Sequence, residues 1–262
     1  CSARFIRRAP SGLSANPCYP RPGNKPRESV MKITWLGHSG FRIEIGGKVL
    51  LIDPWLAGNP GFPEDRAAEA TKGATHICLT HGHGDHASTT LAIARDQGIP
   101  VLCIHEIAQL WDGKDDVEVM GFGKGGTLDL DGVSVTMTHA VHSSSFGFTG
   151  EGSQYAGDPA GFIIRGEGHS IYVSGDTDVM ADMEVIADRY APDIGILCAG
   201  GHFTMDMEGA AYAANRYFDF KIVIPCHYKT FPLLAQDAEP LRARLPEGTR
   251  LVEPQVLEPI TI

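Results

Sequence analysis

The stretch Thr80–His86 constrains this chain more than any other, because it places three histidines and one aspartate within six positions. The apolar run Ile77–Leu79 precedes it and predicts a buried strand, and Ala87–Gln97 follows with a helical pattern. The cluster is therefore predicted on a strand-to-helix loop, where a rigid scaffold aims functional side chains. Gly82 and Gly84 lack a Cβ, so the loop can bring alternate side chains to one point.

Neutral imidazole and carboxylate groups are good ligands for zinc, iron, nickel or manganese. The stretch therefore predicts a metal site. The alternative is a solvated histidine-rich loop that binds metal fortuitously, but the density of the cluster and its place directly after a buried strand argue against it.

Bulk composition predicts an ordinary globular protein. The chain has 262 residues, of which 43% are hydrophobic and 21% are charged, an ordinary balance for a sizeable core. No apolar run approaches the roughly 20 residues that span a bilayer, so we expect no membrane partner. Residues 1–30 hold six Arg and Lys against one Glu and carry +5; because the whole chain carries −10, residues 31–262 carry −15. An acidic body argues against a nucleic-acid partner, while a homo-oligomer stays open.

Residues 1–30 differ in composition from the rest of the chain. They contain five prolines, several arginines and no usable hydrophobic period, which predicts disorder. Arginines among small residues are also weakly typical of a transit peptide, but non-native sequence ahead of a true start at Met31 is the interpretation we prefer. We therefore expect one folded domain over residues 31–262.

The six cysteines show no CxxC spacing. Cys78, Cys103 and Cys198 fall in apolar runs, where a free cysteine behaves as a small hydrophobe. This pattern favours a reducing cytoplasm over a disulfide framework. Cys226 directly precedes His227 and is a minor candidate for a metal ligand.

Alternating strand and helix patterns predict an α/β architecture. Three strands are expected first, with Gly46-Gly47 as a tight turn between the second and third. Thr204 is a plausible N-cap for a helix that runs to Phe218, and residues 145–160 predict a flexible loop over a site. The predicted strands cover 33–36, 41–45, 49–52, 77–79, 101–104, 117–120, 127–130, 133–138, 162–164, 171–173, 194–197 and 222–224, with further helices over 106–111 and 179–188.

Residues that bind metals follow several of these strands directly. His142, Asp176 and His227 each lie just past an apolar run, as the first cluster does. In layered α/β architectures such strand ends gather along one edge and form the ligand crevice. Seven ligand-type side chains can then meet, and two metals fit them better than one. Because two dications about 3.5–4 Å apart repel strongly, a shared carboxylate would offset that repulsion. The grouping is His81, His83 and His142 on one metal, Asp85, His86 and His227 on the other, and Asp176 between them.

Two further residues follow strands. Asp53 closes the third strand and could orient a ligating histidine by a hydrogen bond; capping a turn is an alternative of comparable weight. His38 lies between Gly37 and Gly40 in the sequence. It could line a cleft or be a plain surface histidine.

The order HxHxDH, then His, Asp and His, resembles the metallo-β-lactamase fold superfamily of metal-dependent hydrolases. The finer resemblance is to its branch of L-ascorbate-6-phosphate-lactonase-like and UPF0173 proteins. It covers about residues 31–235 and is more specific for the fold than for a substrate. The segments that carry it are Met31–Ser39, Leu51–Pro54, Gly175–Thr177 and His227–Pro232.

The resemblance implies an αββα sandwich of two mixed β-sheets with helices outside and a dinuclear site at one edge. Zinc is the metal we expect, and manganese, iron or nickel would also suit the ligands. By position the resemblance gives the same seven ligands. His139 competes with His142 for the first metal, and we prefer His142 because His139 falls inside the strand-like pattern. Two departures, His202 after Gly200-Gly201 and Cys226 in place of a larger apolar residue, bear on the substrate pocket.

The chemistry expected of such a site is hydrolysis. A metal lowers the pKa of bound water from 15.7 toward roughly 7, and the resulting bridging hydroxide would attack a carbonyl or phosphorus centre while the metals hold the oxyanion. Asp85 would ligate and orient the nucleophile. His38, His202 and Lys229 are candidates for contacting an anionic substrate or protonating the leaving group, with Ser143 as a further substrate contact. Plain rim residues are the alternative for these.

The sequence constrains the class of substrate less than the type of reaction. We expect a lactone or another small ester, anionic ones included, since the resemblance includes enzymes that open a sugar-acid lactone. A phosphodiesterase acting on a small nucleotide is the second expectation, and an iron-dependent redox enzyme of the same fold is the third. A binding or sensor protein would need a defective ligand, and the sequence offers a residue at all seven positions.

Overall fold

Two mixed β-sheets of seven strands each form the centre of the computed structural model, which describes residues 30–147 and 152–262. The first sheet has the spatial order β16-β1-β2-β3-β4-β5-β6. Neighbouring strands are antiparallel from β16 to β3 and parallel from β3 to β6. Its strands are β1 (Lys32–Trp35), β2 (Phe41–Ile45), β3 (Lys48–Ile52), β4 (His76–Cys78), β5 (Val101–Ile104), β6 (Val119–Phe122) and β16 (Pro259–Thr261).

The second sheet has the spatial order β15-β14-β13-β12-β11-β8-β7. It is parallel from β12 to β15 and antiparallel from β7 through β12. Its strands are β7 (Thr127–Asp129), β8 (Ser134–His139), β11 (Ala160–Gly166), β12 (His169–Val173), β13 (Ile194–Cys198), β14 (Ile222–Cys226) and β15 (Arg250–Leu251); the remaining pair, β9 (Ser145–Phe146) and β10 (Gln154–Tyr155), forms a separate ribbon.

Strand β2 shows why these segments form sheets. Phe41, Ile43 and Ile45 are buried while Arg42 and Glu44 are partly exposed, which is the period of two that a strand with one covered face requires. The two sheets face each other across the core: the Phe122 and Phe162 rings stack at 6.3 Å, and the position of a Cβ on Gly166 lies 3.0 Å from Ile45 Cγ1.

Helices cover the outer faces of the sheets. Helix α3 packs against β4 and β5, α4 against β5 and β6, and α5 against α6. None of the helices in the described part of the chain is long and apolar enough to cross a bilayer. The predicted αββα sandwich with two mixed sheets is therefore confirmed. The helices are α1 (Ala67–Thr71), α2 (Gly84–Ala87), α3 (Thr90–Gln97), α4 (His105–Trp111), α5 (Asp182–Tyr190), α6 (Met207–Tyr217) and α7 (Glu239–Arg242), with one 3-10 turn at Glu64–Arg66.

Strand direction brings distant segments to one edge of the sandwich. In the first sheet β1 is antiparallel to β2 and β2 to β3, so β1, β3 and β4 point the same way. In the second sheet β8, β12, β13 and β14 share a direction for the same reason. The segments that follow these strands carry the candidate metal ligands.

Three local predictions differ from the structure. The helix predicted from Ala87 is preceded by a separate turn, α2, so Asp85 and His86 lie on a helix and not on a loop. Helix α6 is capped by Asp206, whose side chain accepts from the Gly209 N–H over 2.7 Å, and not by Thr204. The 145–160 segment contains the β9–β10 ribbon where only a loop was predicted, and residues 148–151 lie outside the described residues.

The prediction for the N-terminal segment also concerns residues that the structure does not describe. Residues 1–29 lie outside the described residues, so the division of the chain at residue 30 stays a prediction.

Candidate metal centre

Three histidines form a first group of candidate ligands. His81 lies three residues after β4 and is fully buried, and His83 precedes α2. His142 follows β8 and is supplied by the other sheet. One nitrogen from each ring lies within 4.8 Å of the others, and His81 Nε2 is 3.0 Å from His83 Nδ1. Three imidazole nitrogens at this separation can share one cation.

A second group contains His38, Asp85, His86 and His227, whose ligand atoms also lie within 4.8 Å of one another. His38 follows β1, His227 follows β14, and Asp85 and His86 lie on α2. Three of these side chains are at most 1% exposed, whereas the Asp85 side chain is 22% exposed. Asp85 is thus the member of this group that faces solvent.

Asp176 lies between the two groups. Its Oδ2 is 3.1 Å from His227 Nε2 and 3.3 Å from His86 Nε2 in the second group. The same atom is 3.6 Å from His142 Nε2 and 4.0 Å from His81 Nε2 in the first group. The structure therefore brings the seven predicted ligands together, with the Asp176 carboxylate close to histidines of both groups.

The backbone at this edge is strained. His38, Asp53 and His227 adopt positive φ angles of 51°, 41° and 57°, a conformation that non-glycine residues rarely take. Gly200 packs so closely on the His227 carbonyl that a Cβ at that position would overlap the oxygen. Strain of this kind clusters at functional sites, where the surrounding structure enforces it.

Hydrogen bonds to Asp53 fix the protonation of the His86 ring. Asp53 Oδ2 accepts from the Thr80 hydroxyl over 2.6 Å and from His86 Nδ1 over 2.8 Å. Since Nδ1 carries the donated hydrogen, Nε2 of neutral His86 presents a lone pair to the Asp176 carboxylate at 3.3 Å. His86 Nε2 and Asp176 Oδ1 are also buried without a hydrogen-bond partner among the described residues. A lone pair facing a carboxylate requires a positive charge nearby, so these residues fit a bound divalent cation.

The same network fixes His81. Because the Thr80 hydroxyl donates its only hydrogen to Asp53, its oxygen accepts from His81 Nδ1, 3.0 Å away. His81 Nε2 is then unprotonated and faces the first group. Asp53 and Thr80 therefore prepare one ligand in each group, as partners of ligating histidines generally do.

The charges of the site suit metal ligands. Burial lowers the pKa of His81, His83 and His142, which keeps these rings neutral. Burial alone would raise the pKa of Asp176, but the neighbouring His227 and His86 hold it well below its usual 3.8. Neutral imidazoles around an ionised carboxylate are the forms that coordinate divalent cations.

The pKa of His86 shifts in the opposite direction. Burial alone would lower its pKa, but the charges of Asp176 and Asp53 outweigh that effect and raise it well above 6.5. The position between the two carboxylates therefore favours a positive charge.

Comparison with known proteins places the chain in a family. A family model for the Beta-lactamase superfamily domain matches residues 32–227. A UPF0173 metal-dependent hydrolase of Paracoccus denitrificans (strain Pd 1222) is 63% identical over 232 residues, covering 88% of this chain and 100% of its own. The chain belongs to the metallo-β-lactamase superfamily, in its UPF0173 branch of metal-dependent hydrolases.

Two further relatives agree with this membership. A UPF0173 metal-dependent hydrolase of Cereibacter sphaeroides (strain ATCC 17025 / ATH 2.4.3) is 61% identical over 233 residues, with 88% and 100% coverage. The solved structure of Igni18, a metallo hydrolase of Ignicoccus hospitalis, is 31% identical with a TM-score of 0.76, covering 89% of this chain and 99% of its own. The predicted superfamily, fold and enzyme class are thus confirmed.

Within this UPF0173 fold, His139 and His142 occupy different surroundings. His139 ends β8 with its side chain 44% exposed, where it accepts from the Lys124 ammonium over 3.2 Å and lies 3.8 Å from Asp182. His142 lies beside Asp176 in the first group. The geometry therefore favours His142 of the two as a ligand.

The predicted substrate contacts are less closely grouped. Ser143 Oγ lies 3.4 Å from His83 Nε2, at the edge of the first group. The Lys229 ammonium lies 3.4 Å from Glu253 Oε2 and over the Tyr228 ring, so its described partners are away from the cluster. His202 is exposed, and its ring contacts Phe203 edge to face.

His38 is placed differently from a cleft-lining residue. It is buried, its Nε2 lies 3.0 Å from Asp85 Oδ2, and its Nδ1 lies 2.9 Å from Thr230 Oγ1. Burial lowers its pKa to about 4. The sequence predicted that His38 contacts the substrate or takes part in catalysis. The structure places His38 among the candidate metal ligands.

Cys226 is buried beside His227 and belongs to neither of the two groups of candidate ligands in the described chain. Burial raises the pKa of its thiol well above 9.0, which disfavours the thiolate form that binds metals.

Sequence reasoning missed Thr80 and Thr230. Thr80 adjoins the first histidine of the cluster, so its position was a usable signal. Thr230 has no local signal, because its importance comes only from the His38 contact across 192 residues.

Proposed function

We propose that the protein hydrolyses a lactone or another small ester with two divalent cations, zinc being the metal expected. One observation carries the proposal: Asp176 Oδ2 lies within 4.0 Å of histidine nitrogens from both ligand groups. A carboxylate in that place can neutralise part of the repulsion between two ions held about 3.5–4 Å apart.

We assign the ligands by the group to which they belong. His81, His83 and His142 would hold the first ion, and Asp176 would contact both. Asp85, His86 and His227 would hold the second, with His38 next to them. Bound cations would supply the polarisation that makes water nucleophilic near neutral pH.

Asp85 is the residue to which we assign orientation of the attacking water. Its side chain is 22% exposed, while that of Asp176 is 2% exposed, so Asp85 is the carboxylate that an entering substrate would meet. Burial alone would raise the pKa of Asp85, but the neighbouring histidines His38, whose Nε2 lies 3.0 Å from Asp85 Oδ2, and His86 hold it below its usual value. An ionised carboxylate in this place can accept a hydrogen bond from the attacking water and so orient it.

We also propose a reducing cytoplasm as the location of the protein. The four cysteines in the described part of the chain are buried free thiols, which is the usual state in that compartment.

The proposal is tested by metal removal and reconstitution. Protein stripped with a chelator is reloaded with zinc or manganese, bound metal is measured by mass spectrometry, and hydrolysis is assayed on a panel of lactones and phosphodiesters. We expect two metal equivalents and recovery of lactone hydrolysis. Asp176→Ala should lower both, and Asp188→Ala, an exposed aspartate on α5, should lower neither.

Four outcomes would contradict the proposal. Full turnover by the stripped protein would exclude a metal role, and full turnover by Asp176→Ala would remove the shared carboxylate from the chemistry. Iron with a visible absorption band and no hydrolysis would favour the redox alternative. Phosphodiester cleavage much faster than lactone opening would replace the substrate class.

A further inference from the structure

A largely apolar cavity of about 660 Å³ adjoins the metal centre. Its walls include Trp55, Phe203, Phe231 and Leu233, and Asp85 with Ser88 form its polar part. This volume is in the range of small-molecule pockets, which are mostly apolar with a few polar groups. Phe203 and Leu233 are each 54% exposed and line the same cavity, and exposed apolar side chains that form one patch often mark a binding site.

The cavity and the metal centre are continuous. Asp85 belongs both to the cavity wall and to the second ligand group. His38 links them from the buried side, because its ring contacts Trp55 at 5.4 Å and Phe231 at 5.8 Å, both edge to face. A molecule seated on these aromatic rings would therefore present its other end to the cluster.

The charges around the cavity disfavour an anion. Asp85 is the charged residue among the described side chains that line it. The nearby Lys229 ammonium is directed to Glu253 and the Tyr228 ring. An anionic group at the end of this cavity remote from the proposed cations would lose hydration without gaining a cationic partner among the described lining residues, which is costly.

We infer that this site takes neutral esters or lactones with an apolar alkyl or aryl arm, and that the arm lies between Trp55, Phe203, Phe231 and Leu233. This inference rests on the proposed ester hydrolysis and narrows its substrate class. It narrows the expectation from sequence, which also allowed anionic esters. Burial of each added methylene stabilises a bound arm enough for about a fourfold gain in kcat/KM.

The main test compares lactones that differ only in the arm. The series runs from γ-butyrolactone through γ-hexalactone and γ-octalactone to γ-decalactone, and the matched anion is γ-octalactone with a carboxylate at the end of its chain. With the zinc-loaded protein, kcat/KM should rise with each lengthening and fall at least tenfold for the carboxylate. A flat series, or a preference for the anion, would overturn the inference.

Two variants locate the effect. Phe203→Ala should flatten the dependence of kcat/KM on chain length, mainly through KM, and because Phe203 is exposed the change removes little core packing. Tyr212→Ala is the matched control, since Tyr212 is 56% exposed on α6 and does not line the cavity. An unchanged slope in Phe203→Ala, or equal losses in both variants, would place the arm elsewhere.

A binding measurement separates this inference from the proposed function. The neutral apolar dye N-phenyl-1-naphthylamine becomes fluorescent on entering apolar sites, and it should bind the wild type and Tyr212→Ala but bind Phe203→Ala at least fivefold more weakly. Such binding without hydrolysis of any lactone would support the cavity and contradict the hydrolase proposal. Lactone hydrolysis without dye binding and without chain-length dependence would contradict the cavity alone.

Discussion

Asp53 Oδ2 accepts a hydrogen bond from Nδ1 of His86 over 2.8 Å, joining the end of β3 to helix α2. The same oxygen accepts from the Thr80 hydroxyl, so one buried carboxylate sets which nitrogen of His86 is free for a cation. Asp53 is 1% exposed, so its carboxylate contacts neighbouring protein groups and not solvent. It is therefore a positioning residue for the metal centre.

Asp53→Ala should weaken binding of the second metal ion about 10–100-fold, the usual effect of removing a partner of a ligating histidine. The measurement is metal titration followed by calorimetry, with bound stoichiometry checked by mass spectrometry. Asp131→Ala is a suitable control, because that aspartate side chain is fully exposed. Equal metal affinity in Asp53→Ala and wild type would show that Asp53 only caps the turn after β3.

His142→Ala should lose metal from the first group, whereas His139→Ala should not. His142 Nε2 lies 3.6 Å from Asp176 Oδ2, while His139 is paired with Lys124 and Asp182 at the surface. Metal content and lactone turnover of the two variants give a matched comparison within four residues of sequence. Loss of metal in His139→Ala with retention in His142→Ala would reverse the assignment.

Gly200→Ala should destabilise the protein by about 1–3 kcal/mol or more, the usual cost of overpacking a tight site. A Cβ there would overlap the carbonyl oxygen of His227, so the strained loop that carries this ligand would have to move. Urea denaturation measures the free energy of unfolding. Gly123→Ala is the control, since its Cβ would meet no atom within 4 Å; equal stability of the two variants would mean that the contact can relax.

The clustering of the candidate ligands could be predicted from sequence because these residues follow strand ends. His142, Asp176 and His227 each come directly after an apolar run, and parallel strand direction brings such ends to one edge. The sandwich follows from the same alternation of strands and helices.

The orientation of individual side chains could not be predicted, since it depends on partners distant in sequence. Lys229 is directed to Glu253, 24 residues later, and no pattern near Lys229 shows this. His38 is buried by contacts with Asp85 and Thr230, which the glycines around it do not indicate. The cap of α6 shifted for a local reason: Asp206 and Thr204 are both good N-cap residues, and the backbone angles at Asp206 decide between them.

The described cysteines should resist modification until the protein unfolds. Burial raises the pKa of Cys103 and of Cys198 to about 12, and burial also raises the pKa of Cys78 and Cys226. At pH 8, four units below a pKa of 12, about one thiol in 10⁴ is the reactive thiolate. In a variant with Cys1→Ser and Cys18→Ser, an aromatic disulfide reagent should titrate four thiols in guanidinium and a small fraction of one without it.

Rapid modification of a whole equivalent in the folded variant would contradict this expectation. It would show that one of the four thiols is accessible and ionised.

Thr230 should influence the second metal through His38. Its hydroxyl donates to the Tyr228 carbonyl over 3.2 Å, which leaves its oxygen to accept from His38 Nδ1. His38 Nε2 then faces Asp85 Oδ2 at 3.0 Å, where a cation bound by the second group would satisfy both. Thr230→Val removes the acceptor and should lower affinity for the second ion about tenfold, while Thr230→Ser keeps the oxygen and should restore it.

Metal affinity and turnover of the Thr230→Val variant also decide between two roles for His38. If His38 positions Asp85 at the metal, Thr230→Val weakens binding of the second ion and lowers turnover of every ester alike, because the defect precedes the chemistry. If His38 instead protonates the leaving group, metal affinity stays at the wild-type value and the loss in kcat grows with the pKa of the leaving alcohol. Since His38 is 1% exposed and reaches the cavity through Asp85, Trp55 and Phe231 without lining it itself, the first pattern is the one we expect.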